Sequence, residues 1–320
     1  MAKNSKHGSF QSFYTAELLP LLTRLERKRK IRMLPYGVAL LLVLPFLPSV
    51  FRMGELWLFL AVYGGALLGA ARIFDTFFFR PEKMRAEVSR SVIPPLVNHA
   101  LPNLVHRQAE YISMADFIDC GLFSVEFNRY SGRNCFVASG DKFNMSFSWL
   151  KVEHQAKAKN GRRSAVKTVF VGWCFVVYFR RHFTGATLIL PDVAEARLGW
   201  FGRSVQEATV PAGMQLLLLE DAAFERHFKV LSTGQDDARH ILTPVVMEEA
   251  ARIASRLKAG MCISFLKNRM FVAVPVKGDF FDEMLTRSLI NPAPLQELYQ
   301  AVKGVHRLAG MVARHTKVWQ

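Results

Sequence analysis

Residues 33–71 hold two uncharged apolar runs, broken only by Arg52-Met53-Gly54-Glu55. The first run, 33–51, has nineteen residues without a formal charge. As a helix it is roughly 28 Å long, close to the ~30 Å hydrocarbon core of a bilayer. The second, 56–71, has sixteen, and Arg72 can extend its reach by directing its guanidinium to the interface. The pattern predicts a transmembrane helical hairpin over 33–80, followed by an ordinary water-soluble domain.

Lys and Arg near the span ends give such a hairpin its orientation. Arg27, Lys28, Arg29, Lys30 and Arg32 precede the first run, and Arg72, Arg80, Lys83 and Arg85 follow the second. The connecting turn carries Arg52 matched by Glu55. Both termini are therefore expected in the cytoplasm. Pro35 suits a helix start, but Pro45 and Pro48 kink or end a helix, so a re-entrant hairpin is the alternative to two full spans. It leaves both ends on the same side. A hairpin buried inside a soluble core is a poorer account, because few cores need 39 residues whose only formal charges are Arg52 and Glu55. A cleaved signal peptide fits worse, since no small-residue cleavage site follows and a second run comes next.

The formal net charge is +16 over 320 residues. Part of the basic excess lies beside the apolar runs, where it serves topology and attracts anionic lipid headgroups. The remainder is spread along residues 81–320, with no recognition motif for nucleic acid, and none is expected as a partner. The four cysteines, Cys120, Cys135, Cys174 and Cys262, form no Cys-x-x-Cys pair and have no histidine at metal spacing. Free buried thiols are the expectation, with no metal and no cofactor.

Residues 9–25 repeat apolar side chains at offsets of three and four, a helix that either lies on a membrane surface or packs on the protein. Pro81 opens a connector helix that is interrupted at Pro94-Pro95 and resumes to about His106. Strands are expected over 134–139, 144–153, 166–179, 187–190, 214–220 and 227–231, with an Asn160-Gly161 turn in a basic tip. Thr243-Pro244 starts a helix, 262–265 and 270–275 form a hairpin turning at Lys267-Asn268, and a last helix runs 293–313. The apolar series 295, 298, 302, 305 and 308 on that helix is a packing face. The fold class expected is α+β: an N-terminal hairpin, then a mainly antiparallel sheet domain with flanking helices. The segments are 1–32 (basic, amphipathic), 33–80 (anchor), 81–110 (helical connector) and 111–320 (cytoplasmic domain).

One stretch is familiar: Phe224-Glu225-Arg226-His227-Phe228-Lys229-Val230, then Asp236 or Asp237, then Ala238-Arg239-His240-Ile241-Leu242-Thr243-Pro244 and Met247. It resembles the hallmark of a bacterial domain-of-unknown-function family, number 3137. Phe170-Val171-Gly172-Trp173-Cys174-Phe175 and Gly185 to Pro191 look like its middle segment. Gly121-Leu122-Phe123 and Tyr130-Ser131-Gly132 look like its earlier part. An acidic residue expected after Gly132 is absent, with Asn134 nearby, and His240 stands where a Tyr is expected. The resemblance implies a membrane-anchored architecture in the bacterial inner membrane and no reaction.

Arg239 is the first candidate site residue, read either as an anion-binding Arg near a helix N-terminus or as half of an ion pair pinning a strand-to-helix turn. The ion pair is the simpler account. Lys157, Lys159, Arg162 and Arg163 form the second candidate, a basic tip that touches phospholipid headgroups or an acidic partner, or more simply a solvated hairpin end. Glu248-Glu249 reads as solvated charge. Gly-x-Ser-x-Gly, P-loop and Gly-x-Gly-x-x-Gly motifs are missing, so no catalytic residue is named. The function read from sequence is a membrane-tethered cytoplasmic domain binding a protein or lipid partner. The alternative is a membrane-surface enzyme acting on a phosphorylated or lipid substrate.

Overall fold

The computed structural model describes residues 9–43, 64–65, 81–123, 125–156, 166–191, 213–257, 260–276, 280–281 and 288–315. These fall into two compact units, one of residues 1–93 and 281–292, the other of residues 94–280 and 293–320.

In the first unit, Ser9 caps a short helix α1 (Phe10–Phe13), accepting from the Ser12 amide at 3.3 Å. A π-helical segment, Tyr14–Leu18, leads into α2 (Leu19–Val43). The widened turns sit just before Pro20, which has no N–H to give the preceding turn, a usual cause of such irregularity. Phe10, Phe13, Tyr14, Leu18, Leu22 and Leu25 are buried, so the apolar face at residues 9–25 packs on the protein itself. The Tyr14 hydroxyl donates to the Ile290 carbonyl. Buried Glu26 accepts from the Leu289 amide at 3.2 Å and from Arg29 at 2.7 Å, so its charge is met on both oxygens. Lys28 pairs with Glu87 of α3 (Pro81–Ser91) at 2.5 Å.

Pro35 lies in the interior of α2 rather than at a helix start. Among the described residues no helix is long and apolar enough to cross a membrane. Only residues 33–43 of the first apolar run and 64–65 of the second are described, so the expected hairpin lies largely outside them. The connector helix also differs from expectation. The chain breaks at Val92, α4 (Ile93–Ala100) takes Pro94 and Pro95 into its first turn, and β1 (Val105–Arg107) follows. Prolines in a first turn remove amides that have no helical partner anyway.

The second unit is built on a nine-stranded antiparallel sheet ordered β1-β2-β3-β4-β9-β8-β5-β7-β6. Its strands are β2 (Arg129–Ala138), β3 (Phe143–Gln155), β4 (Val166–Phe179), β5 (Thr187–Pro191), β6 (Gln215–Leu217), β7 (Phe228–Ser232), β8 (Cys262–Leu266) and β9 (Arg269–Pro275). The α+β class with a large antiparallel sheet and flanking helices is as expected. Strand β4 is apolar at nearly every position from Val169 to Val177 and buried throughout, the signature of a strand covered on both faces. One face carries Phe147, Trp173, Phe175 and Val272 toward the helices. On the other, Leu150, Val152, Phe170, Cys174, Phe271 and Ala273 cluster with Phe117 of helix α5 (Met114–Asp119). Four short or long helices complete the unit: α6 (Ala222–Glu225), α7 (Gln235–Ile241), α8 (Pro244–Ala254) and α9 (Ala293–His315). Helix α9 buries Leu295, Leu298, Val302, Val305 and Leu308, the series read from its spacing.

Two positions depend on unusual backbone. Asn134, fully buried, takes φ 59° where the β2–β3 register shifts, and its Oδ1 lies 3.1 Å from His106 Nε2. Asn tolerates that left-handed conformation better than most residues. Gly172 pairs with Pro275, and a Cβ there would stand 2.2 Å from the Val274 carbonyl oxygen. A main-chain oxygen held in a ladder cannot yield, so Gly172→Ala is expected to cost about 1–3 kcal/mol. Gly310 in α9 has nothing closer than 4.0 Å to such a Cβ, and Gly310→Ala is expected to gain up to about 1 kcal/mol. Urea midpoints of the two variants should move in opposite directions.

Candidate functional site

Helix α8 begins at Thr243 and Pro244, but the Thr243 side chain makes no capping bond and its hydroxyl is buried without a hydrogen-bond partner. Fixed φ at Pro244 and the buried face of Val246, Met247, Ala250 and Ile253 hold the helix instead. Helix α9 packs beside it. At Gly304 an added Cβ would lie 2.7 Å from Ile253 Cγ1, so the missing side chain is what lets the two helices approach. Along their seam, Arg252 in the last turn of α8 and Arg256 in the turn just beyond it stand opposite Gln300, Gly304 and Arg307 of α9. These line a shallow cleft open to solvent.

The groove is strongly polar. Glu249 is buried at its base, 4% exposed, and Arg252 donates to its Oε2 from Nε at 2.9 Å and from Nη2 as well. Arg307 Nε stands 3.7 Å from Glu249 Oε1, an ion pair too long for a hydrogen bond, and that oxygen is buried without a hydrogen-bond partner. Arg256 Nη1 donates to Gln300 Oε1 at 3.0 Å. Two guanidinium groups thus face one carboxylate, and a third, that of Arg256, lines the same groove. Glu249 is not the solvated surface charge that its neighbour in sequence, exposed Glu248, is.

The sequence candidates lie elsewhere. Arg239 and His240 are both exposed in the last turn of α7, and a short helix rather than a strand precedes α8. Asp237 accepts from Thr184 Oγ1 at 2.8 Å. Lys157, Lys159, Arg162 and Arg163 lie outside the described residues. The arrangement that would mark an enzyme, Arg239 and His240 converging with a carboxylate in a deep pocket, is not present among the described residues. His99 stacks on Tyr299 and His106 on Phe136, so the two histidines belong to different elements. No group of three or more His, Cys, Asp or Glu side chains among the described residues could hold a metal ion.

A second polar cluster ties α5 to the β8–β9 hairpin. Arg269 donates to Asp116 at 2.8 Å and to Asp119 at 2.5 Å, with Lys267 3.5 Å from Asp119. The hydrogen bond from Arg269 holds the Asp119 carboxyl below the usual carboxylate range. A depressed folded pKa stabilises above the unfolded value of about 3.9 and is lost as pH falls through the folded one. The stability difference between the wild type and Asp119→Asn, read from urea midpoints, should therefore be constant above pH ~5 and vanish in acid.

All four cysteines are free and buried. Burial pushes the Cys120 thiol up to about 12 and those of Cys174 and Cys262 well above their ordinary value. Such thiols are poor nucleophiles. Native protein at pH 8 should leave these three unreacted with an aromatic disulfide reagent, and all four should react in denaturant.

Residues 168–313 match a family model described as "Protein of unknown function (DUF3137)". Over those residues the chain is similar to the DUF3137 family. The match takes in β4, the Ala238 to Met247 stretch and the whole α8–α9 groove, whereas Gly121 to Phe123 and Tyr130 to Gly132 precede it. No curated protein matches the chain. A crystal structure of the mycobacterial trehalose monomycolate transport factor A, TtfA, is similar at 10% identity over 55% of this chain and 75% of that one, with a TM-score of 0.27. A likeness at that level carries no argument about function.

Sequence reasoning missed the groove. Its signal was present as Arg252 and Arg256 four apart at the end of one helix and in the turn after it, with Gln300, Gly304 and Arg307 at offsets of four and three on another.

Proposed function

We propose that this chain is a membrane-tethered domain that binds a protein or lipid partner, seated in the bacterial inner membrane with both termini cytoplasmic. The observation that carries the tether is the Lys28–Glu87 ion pair. Lys28 stands five residues before the first apolar run, and Glu87 lies seven beyond residue 80. An exposed pair of this kind contributes little energy, but it is a strict distance restraint. The pair brings Lys28 beside Glu87, a closure that a two-span or re-entrant hairpin between them would supply. In α2 the basic stretch 27–32 runs directly into the apolar residues 33–43, the polarity expected of a helix entering a bilayer from the cytoplasm. The binding role is supported by the arginine-rich groove, an exposed and electrostatically unbalanced surface.

Alkaline carbonate should leave the full chain in the membrane pellet. In intact cells, a membrane-impermeant maleimide should label Met53→Cys in the connecting turn only if the hairpin crosses fully. Ser5→Cys and Thr316→Cys should be labelled only after permeabilisation. Release by carbonate, or labelling of either terminus in intact cells, removes this reading.

A further inference from the structure

We propose that the groove between α8 and α9 is a binding site for a phosphate-class dianion, gripped by Arg252, Arg256 and Arg307. The inference rests on the binding-domain reading above and supplies the ligand class that reading lacks.

Charge balance is the first argument. Glu249 neutralises one of the three guanidinium groups, so the seam carries a net charge of +2. Like charges lining one groove oppose folding, and nothing in the packing of α8 on α9 needs them. Ile253 against Gly304 already makes the close contact. A dianion would cancel the excess, whereas a single carboxylate would leave half of it.

Donor geometry is the second. Each guanidinium offers five N–H groups in a planar fork that fits two oxygens of a phosphate at once. Arg252 spends Nε and Nη2 on Glu249, and Arg256 spends Nη1 on Gln300. Arg307 stands too far from Glu249 to donate to it. Most of the donors therefore remain available on the solvent side, where Arg307 is 45% and Arg252 31% exposed. Glu249 acts through Arg252, as a positioning residue that fixes the edge this side chain turns to the groove.

Room is the third. The seam is open to solvent above the Ile253–Gly304 contact, and the charged residues facing it are long and jointed at their ends. An anion would therefore sit across the open rim of the cleft, reached by the ends of the arginine side chains, rather than in an enclosed cavity.

The shared chemistry is a phosphate dianion, and it has two sources, a lipid headgroup phosphomonoester or a free phosphate. The full chain in a neutral detergent, at fixed ionic strength and pH 8, is titrated calorimetrically with inorganic phosphate and with dihexanoyl phosphatidic acid. Saturable one-site binding of at least one probe is expected. Arg256→Ala/Arg307→Ala should weaken it by about tenfold or more, the scale of losing charge-assisted hydrogen bonds. Arg256→Lys/Arg307→Lys should fall between, since the charge stays and the fork is lost. Arg129→Ala/Lys142→Ala removes two exposed cations elsewhere and should leave affinity within about twofold, which separates a site from general attraction. Equal affinity for the two probes assigns the free anion; a clear preference for phosphatidic acid assigns the headgroup. Unchanged thermal midpoints of the variants establish that they fold. The proposal is overturned if neither probe saturates by about 10 mM, or if the double alanine variant binds as the wild type does. Either result leaves carbonate resistance and maleimide topology untouched, so failure of the anion site and failure of the tether are told apart.

Discussion

Covering both faces of strands β3, β4 and β9 is the constraint from which the second unit follows. A strand as apolar as β4 exposes a large cost on either side if left bare, so the sheet needs helices on one face and α5 with its aromatic neighbours on the other. That requirement fixes α9, whose buried stripe is long enough to cross several strands, and α9 in turn gives α8 a surface to lie on. The groove follows from one helix lying on the sheet and the second lying on the first. Its side chains are those left at the seam when the apolar faces have been used.

Buried Glu249 sharpens that point. A carboxylate at 4% exposure is costly unless charged partners meet it. Arg252, one turn further along the same helix, meets one oxygen fully, and Arg307 approaches the other across the seam. The carboxylate therefore organises guanidinium groups from both helices around itself. Replacing it by an apolar residue of similar size would serve stability as well, which suggests that its value lies in what it positions.

Much of the fold was legible because it depends on local pattern. Strand β4 has the bounds read from its Val, Phe and Trp run, the hairpin turns at Lys267 with φ 56°, and the packing face of α9 follows from spacing alone. Misreadings arose where a residue's role depends on register or on a distant partner. The connector helix reads from sequence as running to about His106, yet it ends at Ala100 and His106 joins the sheet. Arg239 drew notice for its neighbours in sequence, and it faces solvent. The groove could not be read, because α8 and α9 are separated by a strand hairpin and nothing in either helix says which flanks will meet. The two apolar runs were legible in composition, but they lie largely outside the described residues.

The stoichiometry of charge separates the two polar clusters of the second unit. Around Arg269, two cations meet two carboxylates, every charge is answered within 3.5 Å, and the guanidinium also lies over the Phe271 ring at 5.3 Å. That cluster is closed: a ligand would have to displace a partner already in place, and its work is to fasten α5 to the hairpin. Around Glu249, two cations meet one carboxylate, Arg256 adds a third to the same groove, and one carboxylate oxygen still lacks a hydrogen bond. The residue types are the same and the surroundings similar, but here an incoming anion displaces only water and relieves repulsion as it binds. Neutral ion clusters hold elements together; an unbalanced one at a helix seam is better suited to holding something that arrives from outside.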